Sequence, residues 1–503
     1  MKRRIMAVIT GIITMAAVCG CGAQQTVTDR VVQSDMVEET EVQSETVTQT
    51  INETESETEQ TLETITTAEQ ENAVIDRSET FALLNDMKAG WNLGNTLDAH
   101  ASADLTSETS WGNPKTTPEM IQAIAQEGFH TLRIPVTWSK HVSAGPEYKI
   151  DAAWMDRVEE VVKYALDCDM YVILDTHHEP DYWLKPQSDG LDEVQNELCA
   201  IWQQIAERFA DYDEHLLFEG MNEPRIKGSA QEWSGGDADG RAAVNTLNQA
   251  FVDTVRAVGG KNETRTLIIC PYGNSVTYNT MVELEIPQDE HIAVAVHLYT
   301  PYYFTYEPEG GSINVWNGTL KKDIISNMQL VDKELIQKGV PVIITEFGAV
   351  HKVFQDADGN TVSNQEEVLK WLADYMETAN KYGIPCVWWD NGIYNTSGEQ
   401  FGLFDRKNLT WFDQDIADAF VKYAQQTEIA EYTINQTMDD ILSDIYRKKP
   451  DILCLSCYLW NILYVEQLIT EIHKVLPKMQ IWLGGPEVSY NAVSVMEQYP
   501  QVT

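Results

Sequence analysis

Residues 154–177 read "WMDRVEEVVKYALDCDMYVILDTH" and join two different patterns. In the first part, apolar residues recur every three or four positions, which is typical of an amphipathic helix. The last part, residues 171–177, is a continuous apolar run that ends on polar residues, which is typical of a buried parallel strand. A helix that leads directly into such a strand indicates an α/β protein with a parallel sheet covered by helices.

The same alternation of strand and helix occurs eight times after Phe81. The predicted strands share a short apolar run and cover residues 91–97, 131–136, 171–177, 216–221, 266–270, 292–299, 341–345 and 385–390. Eight such units close into a (β/α)8 barrel, or TIM barrel. A doubly wound open sheet is the alternative, but no Gly-rich phosphate loop follows the first strand. We therefore predict a (β/α)8 barrel over residues 81–426.

The segment before the barrel has a different composition. Residues 22–80 are mostly Thr, Glu, Gln, Ser and Val, and no Trp, Tyr or Phe occurs before Phe81. Because nothing large is available to bury and the acidic excess repels itself, we predict a disordered linker that acts as a spacer. The whole chain of 503 residues has a formal net charge of -43. This charge argues against nucleic acid or anionic lipid as a partner of the bulk surface, since both need clustered Lys and Arg.

Residues 1–21 have the pattern of an export signal. Basic residues 2–4 precede an apolar run over residues 5–18, which is short for a permanent membrane span. The sequence "AAVCGCGA" resembles the lipobox of bacterial lipoproteins, which implies that Cys21 is the lipidated N-terminal residue. Plain secretion is the alternative, because Cys19 in the middle of the box is unusual. We expect a monomer outside the cell or at its surface, which contacts the membrane only through a lipid on Cys21.

Polar side chains stand at the ends of the predicted strands. Active sites of (β/α)8 barrels are built at the carboxyl ends of the strands, so we predict that these residues bind substrate or act on it. A lone buried His or Arg is more often a satisfied structural group, but so many such positions at one rim are difficult to explain in that way. The residues are Asn95, Asp98, Arg133, His177, His178, Asn222, Glu223, His297, Tyr299, Glu346 and Trp389.

Two of these residues are carboxylates on predicted strands that face each other across the barrel mouth. Glu223 follows the fourth strand and Glu346 ends the seventh. Such a pair suits glycosidic bond hydrolysis, in which one acid protonates the leaving oxygen and the other attacks or activates water. A metal site is disfavoured, because His177 and His178 are adjacent and no other His is close in sequence. We expect no metal and no cofactor.

At these residues the sequence resembles the glycoside hydrolase family 5 cellulases, over roughly residues 81–424. The motifs that carry the resemblance are "GWNLGNTLDA", "WGNPKTT", "GFHTLRIPVTW", "VILDTHHE", "FEGMNEPR", "HLYTPYYFT", "VIITEFGA" and "VWWDNG". The resemblance implies a retaining endo-β-1,4-glucanase with Glu223 as general acid/base and Glu346 as nucleophile. It also implies that Arg133 and Tyr299 donate hydrogen bonds to the nucleophile and that Asn222 binds the sugar 2-hydroxyl. The residues implied to line the cleavage subsite are His177, His178, His297 and Trp389.

Two alternatives to this function stay open at the level of sequence. The same mechanism could act on xyloglucan, mixed-linkage glucan, mannan or xylan, because specificity lies in loops. The second alternative is a non-catalytic glucan-binding protein, although such a protein has no need of two carboxylates. A cleft for several sugars needs aromatic platforms, and we expect three or more of these loop residues to supply them: Trp111, Trp138, Trp183, Trp233, Tyr302, Tyr303 and Trp316.

Residues 427–503 have a third pattern. The motifs "YTINQ", "KPDILCLSCYLWN" and "LGGPEVS" resemble the middle of the cobalamin-binding domain of B12-dependent radical S-adenosylmethionine proteins. The first strand and helix of that domain are missing, and so is a Cys triplet for an iron–sulfur cluster. Because a half domain exposes unpaired sheet edges, we interpret this partial α/β fragment as the product of a fusion or cloning junction. Cys454 and Cys457 have redox spacing, but we predict buried structural thiols.

Overall fold

The computed structural model describes residues 5–10, 75–306, 313–356, 358–395, 398–424, 427–432, 436–448, 450, 452–459, 461–477, 479–489, 492–500 and 502. The predicted lipobox with Cys21, and the predicted linker up to residue 74, lie outside the described residues. Among the helices of the described part, none combines the length and the apolar composition that a membrane crossing needs.

Eight parallel strands close into a barrel. Its last strand pairs with its first, with Trp388 opposite Trp91. The predicted (β/α)8 barrel is confirmed, and every predicted strand overlaps an observed one. The strands are β1 (Ala89–Leu93), β2 (Thr131–Ile134), β3 (Tyr171–Asp175), β4 (Leu216–Glu219), β5 (Leu267–Ile269), β6 (Ile292–His297), β7 (Val342–Phe347) and β8 (Cys386–Asp390).

A helix follows each strand on the outside of the barrel. The amphipathic pattern that begins at Trp154 belongs to the second of these helices, which buries Trp154, Val158, Val161 and Val162. The fifth is a short helix of five residues. The helices are α1 (Pro118–Glu127), α2 (Ala152–Leu166), α3 (Leu191–Arg208), α4 (Ala238–Val258), α5 (Tyr278–Val282), α6 (Lys321–Glu334), α7 (Gln365–Tyr382) and α8 (Gln414–Ala424).

The barrel unit starts earlier than the change in composition at Phe81. A helix at Ser78–Met87 precedes β1 and buries Leu84 and Met87. Just before this helix, Arg77 donates through Nη2 to the carbonyl oxygen of Pro287 at 3.0 Å. The last residues of the predicted linker are therefore anchored on the barrel by hydrogen bonds that composition does not report.

Residues after Ala424 build a second sheet with its own apolar core, which includes Ile445, Leu453 and Ile469. Its strands β9 (Thr427–Tyr432), β10 (Ile452–Ser456) and β11 (Gln480–Gly484) are parallel. Strand Ile5–Thr10 lies between β9 and β10 and pairs with both. In the uncleaved chain, residues predicted to form the apolar run of a signal peptide thus occupy a place in this sheet, and cleavage before Cys21 would remove that strand. Its helices are α9 (Met438–Lys448), α10 (Ile462–Val475), α11 (Pro486–Ser489) and α12 (Ala492–Gln498).

Two cysteines of this second sheet had redox spacing in the sequence. Cys454 and Cys457 form no disulfide. Cys457 is buried, and burial raises the pKa of its thiol to about 11. Because a thiol with a raised pKa is a poor nucleophile at neutral pH, the environment of Cys457 fits the predicted buried structural thiol, whereas Cys454 is only partly buried.

Candidate active site

Arg133 on β2 is fully buried and lies among three carboxylates. Its Nη1 donates to Oε1 of Glu346 at 2.8 Å, and its Nε donates to Oε2 of Glu219 at 2.7 Å. Its Nη2 lies 2.8 Å from Oδ2 of Asp175. Burial alone would lower the pKa of Arg133, but the three negative charges outweigh burial and raise the pKa well above its usual value. The guanidinium therefore stays charged and fixes the position of Glu346.

Two amides complete the contacts of this guanidinium. Nη1 of Arg133 also donates to Oδ1 of Asn92 at 3.0 Å, and Nη2 donates to Oδ1 of Asn222 at 2.8 Å. Because the amide oxygen of Asn222 accepts this bond, its NH2 group is the part available to donate to a sugar hydroxyl. The predicted role of Asn222 at the 2-hydroxyl is compatible with this orientation.

Sequence reasoning missed three residues of this network: Asn92, Asp175 and Glu219. Their side chains are fully buried, whereas the predicted site residues were chosen at the rim of the barrel. The available signal was a polar residue within an otherwise apolar strand. Burying such a group is costly without partners, so each of them indicates a buried polar network.

Glu223 follows β4 and lies between two cationic side chains. His297 Nδ1 lies 2.9 Å from its Oε1, and Arg225 donates through Nη1 to its Oε2 at 3.1 Å. The backbone of Glu223 has a φ of 45°, which is strained for a residue with a side chain, and its N–H donates to Oδ1 of Asn274 at 2.8 Å. Burial opposes ionisation of this carboxyl, but the hydrogen bond and charge of His297, and then the charge of Arg225, lower the pKa of Glu223.

Glu346 lies on β7 and its second oxygen faces the same imidazole. His297 Nδ1 is 3.5 Å from Oε2 of Glu346, and Tyr299 donates through Oη to that oxygen at 3.0 Å. Burial disfavours a charged imidazole, but the charges of Glu346 and Glu223 raise the pKa of His297. One carboxylate oxygen each of Glu223 and Glu346 lie within 4.8 Å of one another. Retaining glycosidases hold their two carboxyl groups about 5–5.5 Å apart, so the separation fits that class.

His177 and Trp389 form one wall of the cleft. Their rings are parallel within 5°, with centroids 5.6 Å apart. His177 Nδ1 lies 2.8 Å from Oδ2 of Asp175, which fixes the orientation of the imidazole. Trp389 is 8% exposed, so only a small part of its side chain is open to a sugar. The structure thus brings both predicted residues together at the cleft.

Asp98 and Asn95 lie in the turn after β1. The backbone N–H of Asn95 donates to Oδ2 of Asp98 at 3.0 Å, and Nε2 of His178 lies 3.6 Å from the same oxygen. Burial favours a neutral imidazole, but the contact with Asp98 raises the pKa of His178. Asp98 has no exposed side-chain surface, so it can act on a substrate only through His178. Asp98 thus holds this turn through the backbone of Asn95, and substrate binding by Asn95 and Asp98 stays a prediction.

Two groups of side chains in the cleft have the composition of metal ligands. Asp98, His177 and His178 each place a ligand atom within 4.8 Å of the others, and so do Glu223, His297 and Glu346. The sequence argument against a metal considered only the adjacent His pair and missed Asp98. Both groups are already engaged in the hydrogen bonds and ion pairs described above.

The predicted aromatic platforms divide into exposed and buried residues. Trp111, Trp233, Tyr302 and Tyr303 are exposed, and Trp233 is 61% exposed. Trp183 is partly buried and packs against the barrel core. Trp138 and Trp316 are buried and are not available as platforms, because the indole N–H of Trp138 donates to the carbonyl oxygen of Asp175 and that of Trp316 donates to Asp374. Four exposed candidates remain, so the expectation of three or more platforms stays a prediction.

A (β/α)8 barrel with acidic side chains from its fourth and seventh strands in one cleft defines a glycoside hydrolase. The model of the family described as cellulase (glycosyl hydrolase family 5) matches residues 98–395. The chain belongs to glycoside hydrolase family 5.

Known relatives cover the barrel. Endoglucanase A of Ruminococcus albus is 48% identical over 345 residues, which are 68% of this chain and 92% of that protein. Endoglucanase 1 of the same organism is 43% identical over 348 residues, 68% of this chain and 81% of the relative. A solved structure of a family 5 xyloglucan-specific endo-β-1,4-glucanase from a metagenomic library, in complex with cellotriose, is 50% identical. It has a TM-score of 0.66 and covers 69% of this chain and 100% of its own.

A second solved structure extends this comparison. The broad-specificity endoglucanase from Ruminococcus champanellensis, with bound cellotriose, is 41% identical with a TM-score of 0.64. The match covers 68% of this chain and 97% of that structure. The relatives named here match about two thirds of this chain, the extent of the barrel.

The model described as B12 binding domain matches residues 416–503 and so begins within α8. These residues do not suit a cobalamin that is bound through a histidine. In parallel α/β sheets, ligands bind beyond the carboxyl ends of the strands. The segment has a single histidine, His473, which is exposed in the last turn of α10. This end of α10 leads to the start of β11, which is the edge of the sheet opposite to the ligand-binding edge. The segment therefore supplies no imidazole for cobalt at the ligand-binding edge.

Proposed function

We propose that this protein is a retaining endo-β-1,4-glucanase that cuts internal bonds of β-glucan chains. The observation that carries the proposal is the pair Glu223 and Glu346, whose carboxylate oxygens approach within 4.8 Å in one cleft. Membership of family 5 and the endoglucanase names of its relatives support the reaction.

The first step of the reaction forms a covalent ester. Glu346, held by Arg133 and Tyr299, attacks the anomeric carbon, while Glu223 protonates the glycosidic oxygen and the leaving sugar departs. When Glu223 and His297 share one proton, the opposite pKa shifts favour its place on the imidazole. The 2.9 Å contact is short enough for His297 to return this proton to Glu223 when substrate arrives.

The second step hydrolyses the ester. Glu223, now ionised, removes a proton from water, and the water oxygen attacks the anomeric carbon and displaces the Glu346 carboxylate. Two inversions retain the β configuration. The hydrogen bond from Asn222 to the 2-hydroxyl strengthens in each transition state. After these steps Glu346 is ionised again and the pair of Glu223 and His297 again carries its proton.

The test measures reducing-sugar release and product length from carboxymethyl cellulose, barley β-glucan, xyloglucan, mannan and xylan. Wild type is compared with Glu223→Gln and Glu346→Gln, and with Glu377→Gln as a matched control, because Glu377 is exposed on α7. We expect rapid shortening of β-1,4-glucan by wild type and the control, a β-configured first product by NMR, and near-complete loss in the two site variants. Retained binding without any cleavage by wild type would instead support a glucan-binding protein.

The substrate range is a further part of the proposal. One related structure is that of a xyloglucan-specific enzyme and another is that of a broad-specificity endoglucanase, so we propose activity on xyloglucan and mixed-linkage glucan in addition to cellulose. The exposed aromatic residues Trp111 and Trp233 are suitable platforms for such chains. The same substrate panel checks this range, with mannan and xylan as the alternatives.

We also propose that the protein is exported, anchored by a lipid on Cys21 and monomeric. The basic residues 2–4, the apolar run 5–18 and the lipobox-like sequence support export, and residues 22–80 would act as the spacer. Mass spectrometry of the mature N-terminus tests the anchor. Cys21→Ser should release the enzyme from membranes, while Cys19→Ser should leave it attached. Light scattering of the purified protein tests the monomer.

A further inference from the structure

The loop after Glu223 contains a group of side chains that the two-carboxylate reaction does not use. Arg225 donates to Oε2 of Glu223 at 3.1 Å and to its backbone carbonyl oxygen at 3.0 Å. The other side of the guanidinium lies over the ring of Trp233, with Cζ 4.2 Å from the ring centroid. The Arg225 side chain is only 12% exposed, whereas Trp233 is 61% exposed.

A fourth residue holds this arrangement in place. Glu232 accepts from Nε of Arg225 at 3.2 Å, and its other oxygen accepts from the N–H of Gly228 at 2.7 Å. The guanidinium is thus bonded on two edges and stacked on one face, which leaves it few other positions. Trp233 in turn has one face on Arg225 and a large exposed surface.

The position of this group relative to the cut bond follows from which carboxylate it contacts. The general acid faces the leaving group, and the nucleophile faces the sugar that becomes covalently attached. Arg225 is bonded to the acid Glu223, whereas Glu346 is held by Arg133 and Tyr299. A platform attached to the acid therefore belongs to the leaving-group side.

We propose that Trp233 is the platform for the leaving-group sugar of a β-glucan chain, and that Arg225 is a positioning residue that links this platform to Glu223. The proposal rests on the proposed glucanase function. A sugar that packs on Trp233 presses against an indole whose other face is fixed by the cation. Arg225 thereby holds Oε2 of Glu223 in line with the sugar that must receive its proton.

The platform is tested by comparing a substrate that has sugars on the leaving-group side with one that has none there. Cellopentaose places sugars there, whereas the leaving group of β-cellobiosyl fluoride is a single fluoride ion. For Trp233→Ala we expect kcat/KM to fall about tenfold or more on cellopentaose, because an aromatic contact is lost, and to change less than about twofold on the fluoride.

Trp111→Ala is the matched control. Trp111 is also an exposed tryptophan, but its ring lies 5.4 Å from that of His178, on the side of the cleavage subsite. We expect this variant to lose activity on both substrates. If Trp233→Ala has equal effects on both substrates, or no effect, the platform assignment is overturned.

The positioning role of Arg225 is tested by the pH dependence of kcat/KM on cellopentaose. Arg225→Met removes a positive charge beside Glu223, so the pKa of Glu223 should rise and the profile should shift by about half a unit or more. Arg225→Lys keeps the charge and should restore the wild-type profile, although its stacking on Trp233 is weaker. An unchanged profile with an equal loss on both substrates would show a structural role only.

The outcomes separate this inference from the proposed function. If wild type cuts no glucan, the glucanase proposal fails. If wild type cuts β-glucan but Trp233→Ala or Arg225→Met does not give the expected result, the glucanase proposal stands and this inference fails. Because Trp233→Ala changes an exposed residue, the test survives even if Arg225→Met does not fold.

Discussion

The Nδ1 atom of His297 lies 2.9 Å from Oε1 of Glu223. The charges of Glu346 and Glu223 overcome burial and raise the pKa of His297, whereas the imidazolium lowers the pKa of Glu223. These opposite shifts favour the proton of this pair on the imidazole over the carboxyl. The catalytic acid of the resting enzyme is a two-residue unit, and titration of the unit sets the pH range of activity.

The first prediction concerns the alkaline limb of activity. The unit loses its proton as pH rises through the pKa of His297, which lies above its usual 6.5, so wild-type kcat/KM should fall only above that pH. In His297→Asn the carboxyl of Glu223 must hold the proton itself, and the alkaline limb should move to lower pH. Rates on cellopentaose between pH 4 and pH 9 provide the measurement. An identical limb in both proteins would contradict the two-residue acid.

The second prediction concerns Tyr299. Its hydroxyl donates to Oε2 of Glu346 at 3.0 Å, and Tyr299→Phe removes only this donor. We expect kcat to fall about 10- to 100-fold, with the free energy of unfolding changed by less than about 1.5 kcal/mol. The measurements are initial rates and urea unfolding of the same preparation.

Tyr375→Phe is the control for this change. Tyr375 is also buried, and its hydroxyl donates to the carbonyl oxygen of Leu298 at 3.0 Å, away from the carboxylates. This variant should lose stability to a similar extent and keep its kcat. Equal losses of kcat in the two variants would mean that the hydroxyl of Tyr299 has no special role.

The third prediction concerns stability at Arg133. Arg133→Met leaves Asp175, Glu219 and Glu346 without their shared cation. Because uncompensated buried charges are costly, we expect a loss of about 3–5 kcal/mol in the free energy of unfolding, together with the loss of activity. Urea unfolding measures the difference.

Arg208→Met is the comparison for a surface cation. Arg208 is 37% exposed and pairs with Asp156 and Glu159. Exposed pairs contribute little, so this variant should lose about 1 kcal/mol or less. Similar losses for the two arginines would disprove the central role of Arg133.

The fourth prediction concerns Glu179, a buried carboxyl outside the reaction. Its Oε1 accepts from the backbone N–H of Trp138 at 2.6 Å, and burial raises its pKa from 4.5 to about 8. The folded state thus binds a proton that the unfolded state releases between these two pH values. Its stabilising effect is complete below pH 4.5 and is lost as the pH rises towards 8.

Glu179→Gln tests this linkage. The variant lacks the titrating group, so wild type should lose about 1.4 kcal/mol more per pH unit than the variant between these limits. Denaturant unfolding at pH 5, 6.5 and 8 gives the slopes. Parallel slopes for the two proteins would mean that Glu179 has an ordinary pKa in the folded state.

The sequence allowed the barrel to be predicted because buried parallel strands are continuous apolar runs. Each predicted run overlaps a strand, and the polar residues at their ends, such as Glu223 and Glu346, lie in one cleft. Reasoning from strand ends found the residues that face a substrate. It did not find Glu219 or Asp175, because the predicted strands ran two residues beyond these carboxylates, which are buried and paired with an arginine that is distant in sequence.

Other features depend on contacts between distant parts of the chain. Trp138 and Trp316 look like loop aromatics in the sequence, and only their hydrogen bonds to Asp175 and Asp374 show that they are buried. The pairing of Ile5–Thr10 with β9 and β10 joins residues more than 400 positions apart. No local pattern reports such a pairing, since an apolar run of this kind suits an export signal equally well.

The contacts of Arg133 also have a consequence for the loss of activity on heating. This one side chain, on β2, is bonded to side chains from β1, β3, β4 and β7. The catalytic carboxylate Glu346 is thus held by a side chain whose bonds join five of the eight strands. Thermal inactivation of the reaction should therefore coincide with cooperative melting of the whole barrel, with no inactive but still folded state before it.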